Sequence, residues 1–554
     1  MNSLIIIFIF YFLIPLSCIG YGLATVKYIH KIKTDNLGLL GLIGVFILII
    51  YSYFSHFFIK HGEIHNSILL SLGFLFFIKL KNDYISKNNL IIFLIVFIIL
   101  FLGFLIHKSH DDFVYYHFPY TYYLTQYPQF FGIGIFNHGF RTPSSIFYLN
   151  SLFYLPFLKY YMFQIGAVLI MGFANLYIIL SLKNYNLNGK YDQRFYFYIL
   201  IFLFINIFFY RISEHGTDRS AQILIFLLFV ELLFFNFAGK NFNNNVFKIF
   251  IFLGIIISLK SFYLLYLILL IPIIYKASKI NFYLYFKKIF NLPITYLFLI
   301  LIILNTFVSL SNTGCLVYPL KGTCIETIEW TIPKEEVSSL NTHYQWWAKA
   351  GGGPGYEFAL EKSEYIKNFN WLNNWFDKYF FNKVSDFLLG IIFLLLIIFL
   401  IYKSKNRNIK KKNFDIFLYS FSLILFIEWF LNHPALRYGG YVIISLIIFY
   451  PFVFYISSFN GDNIKGKTIT LIILGLIIFS GRNIDRIIKE KNIYKFEPIK
   501  NPVFDLKEDN FRFDRVFKEL INNYNFCINK NNKCTDKYDQ NIKKVFSNYI
   551  FIKK

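Results

Sequence analysis

Runs of apolar residues long enough to cross a lipid bilayer recur along almost the entire chain. Residues 91–106, 221–237 and 387–402 are examples, and such runs approach the roughly 20 residues that a helix needs to span a hydrocarbon core about 30 Å thick. We count about 12–14 of them, which predicts an all-α integral membrane protein with external loops, interfacial helices and a small soluble C-terminal tail. A composition of 56% hydrophobic and 16% charged residues favours the same class.

The distribution of charged residues along the chain indicates its topology in a membrane. It does not indicate a nucleic-acid partner. The net charge of +24 comes from Lys and Arg residues spread among the ends of the apolar runs, whereas a nucleic-acid-binding module gathers them on one surface. The first apolar run, residues 4–25, lacks a basic leading segment and a small-residue cleavage site. We therefore expect it to be a retained membrane helix.

Basic and less basic segments alternate between the apolar runs, and the positive-inside rule assigns each to a side of the membrane. The segments rich in Lys and Arg, predicted to be cytoplasmic, are residues 27–33, 79–87, 183–194, 276–288 and 403–412. The segments predicted to be external are residues 108–145, 211–219, 311–383, 432–437 and the tail after Gly481. An even number of spans places both termini outside.

The pattern divides the chain into six parts. They are N-terminal helices (1–107), a first external loop (108–145), a central bundle (146–310), a long external loop (311–383), C-terminal helices (384–480) and an external soluble tail (481–554). The tail is mixed in charge, and we expect it to form a small helical cap.

Four of the 5 cysteines form two close pairs in segments predicted to be external. Cys315 and Cys324 share the long loop, Cys527 and Cys534 share the tail, and Cys18 lies inside the first helix. Pairs confined to one side suit disulfides in an oxidising periplasm, with metal ligation and free thiols as the alternatives.

Adjacent carboxylates mark the point where the first external loop leaves the membrane. Asp111 and Asp112 follow His110 and precede a tyrosine-rich amphipathic segment. Either acid can deprotonate an acceptor hydroxyl or hold a divalent cation against a phosphate. The alternative is a helix-capping Asp111 beside a solvated Asp112. Further candidates in this loop are His117, His138 and Arg141.

Charged residues also lie at three other helix ends that are predicted to be external. The turn RISEHGTDRSAQ carries Glu214 and Asp218, and Asp218 is either a second acid of the site or a first-turn helix residue. Lys260 interrupts an apolar stretch, where a central charge costs on the order of 3 kcal/mol. We expect it near the external end, facing a phosphate or snorkelling to the interface. Arg437 is either a phosphate clamp or a helix-end residue that meets lipid headgroups.

The long external loop is rich in tryptophan. Trp346 and Trp347 are candidates for stacking on a sugar, although anchoring at a membrane interface is at least as common a use of indole rings. Residues 461–468, GDNIKGKT, match the P-loop pattern but join two apolar runs with no room for a nucleotide domain. We expect no ATP binding there.

Four segments together resemble the GT-C superfamily of membrane glycosyltransferases, in an uncharacterised bacterial branch. They are HDDFVYYHFPYTYYL with FNHGFRTPSS; GTDRSAQ; CLVYPLKGTCIETIEW with WAKAGG and WLNNWF; and NHPALRYGGY. The resemblance implies a multi-pass enzyme of the bacterial inner membrane. Its donor sugar would be linked to polyprenyl phosphate at the external leaflet, and its acceptor would be a glycan, a lipid or a protein.

The resemblance also implies roles for individual residues. Asp111 or Asp112 would be the general base, Asp218 a second acid, and Lys260 and Arg437 would bind the donor phosphate. Some members of the superfamily use a divalent metal and others do not, so both stay open here. The chain departs from the commonest pattern because several helices precede its acidic loop.

Other functions fit the same architecture. An O-antigen polymerase or ligase also spans the membrane many times, carries a large external loop and acts on diphosphate-linked oligosaccharides. A transporter of lipid-linked oligosaccharides would show internal repeats and charges deep in the membrane, and neither is evident in the sequence. A scaffold without catalysis is the third alternative.

Overall fold

The computed structural model describes residues 4–30, 34–105, 110, 112–189, 191–237, 239–351, 361–404, 415–459, 462–495, 497–500, 503, 534–535, 540–545 and 548–553. Within them, ten helical segments are long and apolar enough to cross a membrane, and three shorter apolar helices accompany them. The predicted helical architecture is confirmed for the chain up to the tail. A set of apolar helices of this length is typical of a multi-pass membrane protein.

Helices α1 to α11 build the N-terminal and central parts. They are α1 (Leu4–Ala24), α2 (Leu37–His56), α3 (Glu63–Tyr84), α4 (Lys87–Phe104), α5 (Phe118–Gln126), α6 (Ile133–Phe136), α7 (Ser145–Ser151), α8 (Ile165–Asn188), α9 (Gln193–Phe208), α10 (Gly216–Leu233) and α11 (Gly239–Leu259). Short helices α5 and α6 belong to the first external loop, α7 begins at the last residue of that loop, and the other eight helices are long and apolar.

Helices α12 to α20 follow a 3₁₀ segment, Ser261–Leu270. They are α12 (Ile271–Phe290), α13 (Pro293–Thr313), α14 (Lys334–Lys349), α15 (Lys362–Tyr365), α16 (Leu372–Trp375), α17 (Ser385–Tyr402), α18 (Ile416–Asn432), α19 (Gly440–Ile456) and α20 (Ile464–Tyr494). Helices α14 to α16 belong to the long external loop, and the π-helical segment Phe376–Val384 leads into α17.

Small residues let the first three helices pack backbone to backbone. A Cβ atom on Gly20 would lie 1.8 Å from the carbonyl oxygen of Gly73 in α3, and one on Gly44 would lie 1.8 Å from the carbonyl oxygen of Cys18. Glycine at these positions permits the close approach that membrane helices use in place of large apolar side chains.

The helices fall into an inner and an outer set. The apolar window of α8 is 94% buried, whereas the windows of α3 and α20 are only 22% buried. On those two helices large apolar side chains such as Ile68 and Ile473 lie more than half exposed. A continuous apolar outer surface of this kind is costly in water and suits lipid.

Segments predicted to be cytoplasmic contact one another in the structure. The Nζ atom of Lys27 lies 2.9 Å from Oδ2 of Asp83, and Nζ of Lys183 donates to Oδ1 of Asn89 at 2.8 Å. These contacts place the first two basic segments side by side and the third next to them. Their common location is what the charge pattern predicted.

The tail begins with the end of α20, and the strands that the structure describes beyond it form a sheet. Strands β1 (Cys534–Thr535), β2 (Gln540–Val545) and β3 (Asn548–Lys553) pair antiparallel in the order β1-β2-β3. The expected helical cap is therefore wrong for these residues, since two strands rich in β-branched and aromatic residues are joined by a two-residue hairpin connection. Strand β3 lies against α6 of the first external loop, so the tail and that loop share one end of the molecule.

Candidate functional site

A cavity of about 230 Å³ opens where the predicted external segments meet. Its lining residues are His110, Asp112, His117, Glu214, Thr217, Asp218, Arg219, Gln222, Gly351, Tyr379, Lys383, Ala435, Arg437 and Tyr441. All of them lie in the segments predicted to be external or within about one helical turn of those segments. Six of the residues that the sequence nominated, from three distant segments, thus share one concave surface: His110, Asp112, His117, Glu214, Asp218 and Arg437.

Asp112 lies on the cavity wall beside a cation from the other end of the chain. Its Oδ2 atom is 3.6 Å from an NH2 nitrogen of Arg437, and its side chain is about one third exposed. Burial by itself would raise the pKa of this carboxyl group. The positive charge of Arg437, with smaller contributions from His117, His110 and Lys260, outweighs burial and lowers the pKa. Asp112 is therefore ionised at neutral pH.

His110 makes two contacts with Asp112, and they exclude each other because one needs Nδ1 without a proton and the other needs Nδ1 with one. Its Nδ1 atom lies 3.1 Å from the backbone nitrogen of Asp112 and 3.3 Å from Oδ2 of the same residue. Neutral His110 with an unprotonated Nδ1 accepts the backbone N–H, whereas protonated Nδ1 donates to the carboxylate. The imidazole can thus respond to a change of charge on Asp112.

Asp218 forms the second carboxylate–cation pair at the cavity. It is the third residue of α10, and its Oδ1 atom accepts a hydrogen bond from Nζ of Lys260 at 2.8 Å. Lys260 is extended between the end of α11 and the following 3₁₀ segment, and its ammonium group also lies 4.9 Å from the ring centre of Tyr438. The break between the two helical segments places Lys260 beside Asp218, and its predicted contact with a phosphate stays a prediction.

Gln222, which the sequence did not nominate, fixes Arg437. Its Nε2 atom donates to the carbonyl oxygen of Arg437 at 3.0 Å, and its Oε1 atom accepts from the backbone nitrogen of Val442 at 3.2 Å. One amide side chain therefore fastens the turn between α18 and α19 to α10. The sequence feature that could have identified Gln222 is the presence of a glutamine within an apolar helix.

Glu214 joins the cavity to a buried charge network. Its carboxylate pairs with Arg211 at 2.9 Å and lies 3.7 Å from Arg486 of α20. Burial raises the pKa of Glu214 in spite of the nearby Arg211. Arg486 also donates to the carbonyl oxygens of Leu102 and Leu105, at 3.0 and 2.6 Å. This arginine thereby holds α4, α20 and the Glu214 turn together.

His117 lines both the main cavity and a smaller one behind it. Burial lowers its pKa to about 4, so the imidazole is neutral at physiological pH. Its Nε2 atom is buried and makes no hydrogen bond to the part of the chain that the structure describes. A neutral imidazole here can accept or donate one hydrogen bond to a molecule in the cavity.

Besides Lys260, which contacts Asp218 without lining the cavity, four candidates from the sequence lie outside the cavity lining. Arg141 is buried and pairs with Glu336 of α14 at 2.8 Å, so it links the first external loop to the long one. His138 is exposed on the surface. Trp346 and Trp347 lie on α14, where the ammonium group of Lys362 is 4.7 Å from the ring centre of Trp346.

Other predictions concern residues that the structure does not describe or describes in part. Asp111 lies outside the described residues, so its role stays a prediction. The disulfide Cys315–Cys324 is confirmed, and Cys18 is a buried free thiol in α1. Cys527 also lies outside the described residues, and its pairing with Cys534 is untested.

The described side chains do not form a metal site. Within the described ranges, no group of three His, Cys, Asp or Glu side chains is arranged so that it could hold a metal ion. The carboxylates of Asp112 and Asp218 each contact a cationic side chain, which satisfies the charge that a divalent ion would neutralise.

Comparison with known proteins places the chain in a family. A family model described as "Domain of unknown function (DUF8201)" matches residues 3–444, a range that contains every residue lining the cavity. No curated protein and no solved structure matches the chain. Because the matched range covers most of the sequence, the chain is a member of the DUF8201 family, whose function is unknown.

Proposed function

We propose that this chain is a multi-pass membrane glycosyltransferase of the GT-C type. It would move a sugar from a polyprenyl-phosphate donor to an acceptor hydroxyl in the cavity, at the periplasmic face of a bacterial inner membrane. The observation that supports this most is the presence of two carboxylate–cation pairs at one cavity built from predicted external segments: Asp112 and Arg437 both line it, and Lys260 pairs with the lining residue Asp218.

The surroundings of the cavity agree with a lipid-linked donor. Long apolar helices surround it, and their outer faces expose large apolar side chains. The segments that form it carry fewer basic residues than those at the opposite end, which favours the external side. A donor anchored in the outer leaflet would therefore reach the cavity from the membrane.

The reaction follows from the charges on the cavity wall. The acceptor hydroxyl loses its proton to the Asp112 carboxylate while its oxygen forms a bond to the anomeric carbon of the sugar. The bond from that carbon to the phosphate oxygen breaks, and its electron pair stays on the phosphate. The products are the glycosylated acceptor and polyprenyl phosphate, with the proton held on Asp112.

Asp112 is better placed as the base than Asp218. Asp218 is only 15% exposed and accepts a 2.8 Å hydrogen bond from Lys260, which occupies one of its oxygens. Asp112 is 33% exposed, and its contacts with His110 and Arg437 are longer, at 3.3 and 3.6 Å. A carboxylate that is ionised, accessible and loosely held can approach an incoming hydroxyl and take its proton.

A transfer assay tests the proposal. The purified protein in lipid vesicles would be offered polyprenyl-monophosphate sugars and diphosphate-linked oligosaccharides with a panel of glycan and lipid acceptors, and products would be identified by mass spectrometry. We expect transfer from a monophosphate donor with release of polyprenyl phosphate. Transfer from diphosphate donors alone would favour a polymerase or ligase, and no transfer from any donor would favour a transporter or scaffold.

A further inference from the structure

Among the residues that the structure describes, the cations at the cavity outnumber the carboxylates that pair with them. Asp112 faces Arg437, Asp218 faces Lys260, and these two pairs are each neutral in sum. Glu214 is compensated by Arg211 and Arg486. Two further cations line the cavity, Arg219 and Lys383, and neither has a carboxylate within ion-pair distance in the described part of the chain.

Arg219 packs against an aromatic ring and forms no ion pair with a described carboxylate, although the charge of Glu214 acts on it from a longer distance. Its guanidinium carbon lies 5.5 Å from the ring centre of Phe209. One of its terminal nitrogens, NH1, is buried and finds no hydrogen-bond acceptor among the described residues. The contact with Phe209 uses none of the N–H groups of Arg219, and Arg219 lines the cavity, so these groups can bind an oxygen-rich anion there.

Lys383 reaches the cavity from a different wall. It is exposed and lies four residues after Tyr379 on the π-helical segment Phe376–Val384. The hydroxyl oxygen of Tyr379 accepts a hydrogen bond from the backbone nitrogen of Leu436 at 2.8 Å, which fastens this segment beside Arg437. The anchored segment therefore places the Lys383 ammonium group on the same cavity as the Arg219 guanidinium group.

We propose that Arg219 and Lys383 bind the phosphate of the lipid carrier and prefer its monoester over its diester form. This inference rests on the proposed function. The sugar-linked donor is a phosphodiester with one negative charge, and the departing polyprenyl phosphate is a monoester that approaches two at neutral pH. A second uncompensated cation therefore matches the charge that appears as the sugar leaves, which stabilises the transition state more than the bound donor.

Ligand binding without chemistry tests the inference. The full-length protein in nanodiscs would be titrated with a short-chain prenyl monophosphate and with its methyl diester, at a mildly alkaline pH where the monoester is fully ionised. We expect wild type to bind the monoester about tenfold more tightly than the diester. Arg219→Gln and Lys383→Gln should each remove most of this preference, and Arg219→Lys should restore part of it.

A matched control distinguishes binding in the cavity from a general effect of positive surface charge. Lys378 is exposed on the same segment but does not line the cavity, so Lys378→Gln should keep the wild-type preference. Because Lys383 is exposed, its glutamine variant should fold normally, and this keeps the test valid if Arg219→Gln is unstable. Competition between inorganic phosphate and the prenyl monophosphate shows whether the prenyl chain contributes to binding.

Three results would overturn the inference: a wild type that binds both esters alike, a Lys383→Gln variant that keeps the full preference, or inorganic phosphate that binds as tightly as the prenyl monoester. The outcome is independent of transfer activity. A wild type that shows the preference yet transfers no sugar would refute the glycosyltransferase proposal and leave the phosphate site in place.

Discussion

The Oδ2 atom of Asp112 lies 3.6 Å from a terminal nitrogen of Arg437, so a residue of the first external loop meets one from the turn before the last two apolar helices. The contact is partly exposed, and its value for stability is therefore small. Its effect on the protonation of Asp112 is more important, because Arg437 is the main positive charge that opposes the effect of burial on this carboxyl group.

Replacing Arg437 should change the pH dependence of transfer. The pKa of Asp112 is lowered in the folded protein, so the carboxylate is present at neutral pH and is lost as the pH falls through that lowered value. In Arg437→Gln burial dominates and the pKa rises, so the acidic limb of the pH–rate profile should move to higher pH. Profiles of both proteins in the same vesicles check this, and coincident acidic limbs would contradict it.

Much of the site could be predicted because charge is costly beside a membrane. Asp112, Asp218, Lys260 and Arg437 stand at or near the ends of apolar runs, and each is visible in the sequence for that reason. Their convergence also follows from topology. Helix ends on one side of a bilayer lie at the same depth, so external polar residues from distant segments can meet.

The remaining contributors could not be predicted in the same way. Arg219 follows Asp218 directly, and the sequence offers no sign that the acid forms an ion pair while the arginine forms none with the described residues. Arg486 lies beyond the predicted last span, but α20 continues to Tyr494 and carries it against Glu214. The position of Arg141 in the first external loop predicts a place in the site, whereas in the structure Arg141 forms an ion pair with Glu336.

The buried network around Glu214 should be required for stability. Arg486 is 7% exposed and bridges Glu214 and two backbone carbonyl groups. Arg486→Met leaves that carboxylate with one cation fewer, and we expect a loss of about 3–5 kcal/mol in the free energy of unfolding. Thermal unfolding in detergent measures the loss. Lys489→Met, an exposed change one turn away on the same helix, should have no measurable effect.

The disulfide in the long loop tests both local stability and sidedness. Cys315 and Cys324 are separated by 9 residues, and closing so short a loop stabilises the folded state by roughly 2–3 kcal/mol. The Cys315→Ser and Cys324→Ser double variant should unfold at a correspondingly lower denaturant concentration.

In whole cells the same pair should resist maleimide labelling until a reductant is added. It should then react with a reagent that cannot cross the inner membrane. Labelling only after the membrane is broken would place this loop, and with it the cavity, on the cytoplasmic side. That result would contradict the proposed topology.

The central claim is that the Asp112 carboxylate takes the proton of the acceptor hydroxyl, and the most direct test is the rate of sugar transfer by Asp112→Asn. Loss of a positioned general base should lower the rate by about 10²- to 10⁴-fold with normal membrane insertion. Asp377→Asn, an exposed acid of the long loop, should keep the wild-type rate. Wild-type transfer by Asp112→Asn, or loss of transfer confined to Asp111→Asn, would contradict the assignment.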